Sequence, residues 1–148
     1  MTNSDPVDEA YEHMLREHAR LRGLLDELGR MLSERSAAIT DVSGRFTELQ
    51  ALVSHHFRTE EESGCFGNMI SHAPRVSERV EILIAEHGSM SVEIEELVVR
   101  ASDCRGTHDD WEEIGRRFHR FCGRLMNHET VENELLQEVF TEDIGSKD

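Results

Sequence analysis

Apolar residues recur at helical spacing in four long stretches of this chain, and a histidine is embedded in each of the four stripes. Met14, Leu15, Leu21, Leu25, Leu28 and Leu32 surround His18; Phe46, Leu49, Leu52, Val53 and Phe57 surround His56. Val76, Val80, Leu83, Ile84, Met90, Ile94 and Leu97 accompany His87, and Trp111, Ile114, Phe118, Phe121, Leu125, Leu135 and Val139 accompany His128. A period near 3.6 residues sustained this long identifies amphipathic helices, each of which must bury its apolar stripe against the others.

Turn signals separate the stripes. Pro6, with Ser4 or Asp5 before it, starts a helix over about 6–33, and Thr40 or Asp41 can cap a second over about 41–63. The segment from Ser63 through residues 64–74 holds two glycines and a proline and reads as a connection. A third helix over about 74–101 follows. After a loop through Gly106, a fourth over about 109–140 opens at Asp109 or Asp110, and the tail after Thr141 reads as frayed. Short connections favour antiparallel neighbours, so the expected fold is all-α: an up-down-up-down four-helix bundle, with residues 1–148 as one domain.

Composition narrows the partners. Against 31 acidic residues stand 16 basic ones, a formal charge of -15, which argues against binding nucleic acid or an anionic membrane. Cys65, Cys104 and Cys122 are odd in number and lack CxxC spacing, so neither a disulfide framework nor a zinc–thiolate site is indicated. The N-terminus is acidic without an apolar stretch, and no later segment has the roughly 18 apolar residues of a membrane span, so a cytoplasmic location is expected.

Which of the nine histidines matter cannot be decided by HxxxE spacing alone, because His13/Glu17, His56/Glu60, His108/Glu112 and His128/Glu132 all satisfy it. The neighbours at positions three, four and seven away do discriminate. His18, His56, His87 and His128 keep apolar company; His13, His55, His72 and His108 lie among charges or in a loop; His119 is intermediate and is left out. His18 and His56 are each about 15 residues from the first turn, hence at one depth of the bundle, and His87 and His128 differ in depth by about 6 Å. A lone histidine on an apolar stripe is most often a hydrogen-bonded core residue. Four on four helices, two of them followed one turn later by an inward Glu60 or Glu132, predict a shared metal site, because burying these groups unpaired would cost several kcal/mol.

This arrangement resembles the hemerythrin and HHE cation-binding family: Glu17-His18, then His56-Phe57-Arg58-Thr59-Glu60-Glu61, then Glu86-His87, then His128-Glu129-Thr130-Val131-Glu132-Asn133. The resemblance covers nearly the whole chain. It implies two non-heme irons with an oxo or hydroxo bridge, ligated by His18, His56, His87 and His128 and bridged by Glu60 and Glu132; manganese or zinc could substitute. Oxygen-carrying relatives have HxxxH on the third helix and HxxxxD on the fourth, whereas here Leu83 and Ser91 flank His87 and the fourth helix has HxxxE. A four-histidine, two-glutamate set is similar to a variant of the family associated with iron and oxygen sensing.

Three further points follow from position. Tyr11, seven residues before His18, could supply a phenolate or a hydrogen bond to a bound oxygen species, but reads better as a core tyrosine. Glu17, Glu61, Glu86 and Glu129 adjoin candidate ligands and could accept an imidazole N–H; most of them read as solvated, and Glu61 is the foremost candidate. Six protein donors shared by two ions leave positions open for O2 or peroxide. The expected function is therefore O2 binding or oxygen and iron sensing, with peroxide consumption or ferrous oxidation as the alternative and a metal-free structural bundle as the third.

Overall fold

The computed structural model describes residues 6–62 and 64–142, so the expected caps at Ser4 and Asp5, the loop residue Ser63 and the tail beyond residue 142 lie outside the described residues. Four long helices, α1 (Pro6–Glu34), α2 (Ile39–Glu62), α4 (Ser77–Asp103) and α5 (His108–Gln137), form an all-α bundle, with a short helix α3 (Cys65–His72) between α2 and α4. Each long helix packs chiefly on two others, in the ring α1–α2–α4–α5. Cross-links fix the antiparallel sense: Glu27 meets Arg45 near one end of the α1–α2 pair and Glu17 meets His56 farther along. Arg100 meets Glu113 at one end of the α4–α5 pair and Arg79 meets Glu138 at the other. No helix among the described residues is long and apolar enough to cross a membrane.

Local chemistry sets the helix ends. After Glu34 the chain turns at Arg35, whose φ of 52° lies in the left-handed region that arginine rarely adopts, and its N–H closes on the Met31 carbonyl at 2.9 Å. The Arg35 guanidinium then reaches α5, donating to Glu112 at 2.5 Å and to His108 Nδ1 at 3.0 Å. Helix α2 starts at Ile39, two residues before the expected position, with Asp41 inside its first turn. Helix α5 starts at His108 with Asp109 and Asp110 in its first turn, and Thr107 caps it: its hydroxyl accepts from the Asp110 N–H, and the Asp110 carboxylate accepts from the Thr107 N–H.

The connection expected over 64–74 is itself mostly helical. Gly64, at φ 88°, makes the left-handed turn out of α2; α3 then runs to His72, and a single 3-10 turn (Pro74–Val76) leads into α4. Cys65, Phe66 and Met69 are buried on one face of α3, a spacing too short to stand out beside the glycines. Leu15 and Ile84, assigned to stripes from sequence, are more than a third exposed, because Met14 and Leu83 take the inward positions beside them.

Buried side chains fall into two apolar clusters. The larger joins Leu21 through Leu32, Val42 through Phe57, Met90 through Ala101 and Ile114 through Leu125; the smaller joins Met14, α3, Val76 through Leu83, and Leu135 through Val139. Between them lies a layer of buried polar residues: His18, His56, Glu60, His87, His128, Glu129 and Glu132. Helix α3 thus closes the smaller core over this layer. Replacing Met69, which is fully buried, with Ala should lower the unfolding free energy of the metal-free protein by about 2–5 kcal/mol, measured by urea denaturation, as expected for a core cavity.

Candidate metal centre

The four histidines enter the polar layer from four different helices, and each presents Nε2 to the middle. His18 Nε2 and His56 Nε2 are 3.0 Å apart, as are His87 Nε2 and His128 Nε2 at 3.1 Å. Glu60 Oε1 lies 3.0 Å from His56 Nε2 and 3.5 Å from His87 Nε2; Glu132 Oε1 lies 3.3 Å from His18 Nε2, and its Oε2 2.9 Å from His128 Nε2. Donor atoms therefore gather in two groups, one of His18, His56, Glu60 and Glu132, the other of Glu60, His87, His128 and Glu132. Both glutamates belong to both groups. Each spans from one histidine pair to the other, the position a carboxylate needs to bridge two cations.

Outside the layer, carboxylates take the opposite ring nitrogens. His56 Nδ1–H donates to Glu17 Oε1 at 3.0 Å, His87 Nδ1–H to Glu61 Oε2 at 2.9 Å and His128 Nδ1–H to Glu86 Oε1 at 2.9 Å. An ionised carboxylate only accepts, so these bonds keep the proton on Nδ1 and turn the Nε2 lone pair inward. Two inward lone pairs about 3 Å apart repel unless a cation lies between them. Two imidazole nitrogens bound to one ion at roughly 2.1 Å, with a near-right angle at the ion, are separated by about this distance. Both carboxylate oxygens of Glu60 and of Glu132 are buried without a hydrogen-bond donor of suitable geometry. Imidazole and carboxylate together suit iron, manganese or zinc. The residues fit a pair of cations.

Rings clamp the layer. Phe57 stacks on His87 with centroids 3.9 Å apart and planes 8° from parallel, and Phe66 of α3 covers the imidazole from 5.6 Å. Phe57 also meets the His128 ring edge-on at 5.8 Å. Burial and charge then divide the titratable groups. Desolvation lowers the pKa of His18 and of His128, with nearby glutamates offsetting only part of it. Desolvation acts the same way on His56, but the close Glu60 carboxylate and the hydrogen-bonded Glu17 outweigh it and raise its pKa. Burial would push Glu60 up, yet the facing His56 and His87 bring it below the ordinary carboxylate range.

All six residues expected as ligands from sequence lie in this layer, with at most 5% exposure, and the five histidines set aside are exposed. Tyr11 packs, half-buried, against the smaller core. The reading of Glu17, Glu86 and Glu129 as solvated is corrected. Glu17 and Glu86 lie across a helix interface from the imidazole they serve, so their own helices carry no sign of it, and Glu129 is 1% exposed. The signal was present in the sequence as a glutamate next to a candidate ligand on every helix, Glu17, Glu61, Glu86 and Glu129, but adjacency alone ranks only Glu61 first.

A family model, that of the hemerythrin HHE cation binding domain, matches residues 9–139, a span containing every donor described above. Neither a curated protein nor a solved structure matches the chain significantly.

The charge pattern has a consequence for loading. Because the His56 pKa is raised in the metal-free protein, His56 keeps its second ring proton to higher pH than an ordinary imidazole and a cation must displace it, whereas His18 and His128, with lowered pKa values, give theirs up more readily. Metal affinity should therefore increase as pH rises through the His56 pKa, with proton release on binding. Calorimetric titration in buffers of different ionisation enthalpy measures that release.

Proposed function

The chain belongs to the hemerythrin HHE cation-binding family, and on that premise we propose that it carries two non-heme irons, with His18 and His56 on one, His87 and His128 on the other, and Glu60 and Glu132 bridging them. The observation that supports this reading above all is the sharing of both glutamates between the two donor groups. Such an iron pair, when bound, supplies redox capacity and open coordination positions for a small ligand such as O2 or peroxide.

What the protein itself contributes is orientation, enclosure and coupling. Glu17, Glu61 and Glu86 hold three imidazoles in the ligating tautomer. Phe57 and Phe66 cover His87 and exclude water from its ring. Every proposed ligand is nearly or fully buried, an enclosure suited to a diatomic or peroxide-sized partner rather than to an organic substrate. The layer also separates the two apolar cores, so that without cations Glu60 and Glu132 are buried carboxylates whose neighbours are other donors. Occupancy and bundle stability are thereby linked, which favours O2 binding coupled to oxygen or iron sensing over turnover.

Protein purified from iron-supplemented cells should carry about two irons per chain, as the two donor groups imply. It should show charge-transfer absorption that changes reversibly between dithionite and air. Steady consumption of peroxide or of ferrous iron would instead make the chain an enzyme. Glu60→Ala and Glu132→Ala should each lose at least one iron, while Glu112→Ala, which removes an exposed partner of Arg35 far from the layer, should lose none. Equal iron content in all three variants would sink the ligand assignment.

A further inference from the structure

The outer carboxylates follow a rule of placement. The histidine of α2 donates to a glutamate of α1, that of α4 to a glutamate of α2, and that of α5 to a glutamate of α4. Each acceptor is the sequence neighbour of a donor in the metal layer: Glu17 precedes His18, Glu61 follows Glu60 and Glu86 precedes His87. The helices pack in the ring α1–α2–α4–α5, with α5 back against α1, so one step remains. It calls for a glutamate on α5, adjacent to His128, facing the histidine of α1. Glu129 fills that description.

Both ends of this fourth pair lack partners. His18 Nδ1 is buried without a hydrogen bond, the only one of the four inward histidines whose outer nitrogen has none. Glu129 is 1% exposed, and both of its oxygens are buried without a donor of suitable geometry. Its charge acts on His18 more strongly than that of any other group. A buried carboxylate with no donor is costly, and nothing in core packing requires one here.

We infer that Glu129 is the acceptor for His18 Nδ1–H, directly or through one water, and thereby the positioning residue that closes the ring of outer carboxylates around the metal layer. The inference rests on the two-ion reading above. Glu129 touches no ion; it fixes the His18 tautomer so that Nε2 is free to ligate. Asn133, one turn further along α5, is the competing acceptor: its side chain lies within hydrogen-bonding reach of the His18 ring, whereas Glu129 acts on that ring through its charge, and its Oδ1 is also buried without a partner of good geometry.

The test compares parent, Glu129→Gln and Asn133→Leu proteins loaded anaerobically with Fe(II), following iron count, release to a competing chelator and urea unfolding of the metal-free forms. Glu129→Gln should release one of its two ions about 10- to 100-fold faster than the parent, the scale for losing an outer partner of a ligating histidine. Its metal-free form should be at least as stable as the parent, because an uncompensated buried carboxylate has gone. Parent-like release by Glu129→Gln would overturn the inference, as would loss of metal-free stability with release unchanged, the mark of a purely structural residue. Faster release by Asn133→Leu alone would give the His18 bond to Asn133 and overturn it equally. A parent protein that takes up fewer than two ions would instead bring down the two-ion reading, and this inference with it.

Discussion

Everything in this bundle is arranged around two carboxylates that have no business in an apolar core. Glu60 and Glu132 are at most 2% exposed; Glu60 faces imidazoles of its own helix and of α4, Glu132 those of its own helix, α1 and α2, and neither receives a hydrogen bond of good geometry. An isolated ionised carboxylate in such a place would cost many kcal/mol or give up its charge. Here the facing histidines hold Glu60 ionised instead. The four helices must therefore meet at one depth, and the register of the whole bundle follows from that requirement.

Several features away from the layer serve the same end. Helix α3 does more than connect α2 to α4, since its Phe66, like Phe57, stacks on the His87 ring while Cys65 and Met69 belong to the smaller core. At the far end, Arg35 accepts a left-handed backbone conformation and reaches α5, tying the α1–α2 turn to the start of α5. Long helices crossing a bundle can slide by a turn with little loss of apolar contact. Fixed contacts at both ends, with a polar layer between, resist that sliding.

The sequence was legible wherever burial repeats within one helix. Stripes at helical spacing identified the four long helices, and apolar company picked His18, His56, His87 and His128 out of nine histidines, the four that are buried. What escaped reading lies between helices. Glu17 and Glu86 occupy partly exposed faces of their own helices, which is how solvated residues look, and their role depends on which helix packs alongside. Glu129 follows a ligand by one residue, about 100° round the helix, and should have turned away from the core; it is buried because α1 covers that side of α5. Helix α3 was hidden for another reason, since eight residues with a glycine among them are too few for periodicity to outweigh a turn signal.

Charge balance gives the proposed sensing role its physical basis. Two divalent cations would bring four positive charges to a layer whose bridging carboxylates supply two negative ones. The outer glutamates, on the far side of the imidazoles, offset the remainder without competing for the ions. With the cations gone, the same carboxylates repel one another across a few ångströms of low dielectric, and protons on groups such as His56 compensate only in part. A bundle with one continuous apolar core would scarcely respond to that loss. This one has two cores joined through the polar layer, so the cost of an uncompensated centre falls on the contacts between its halves.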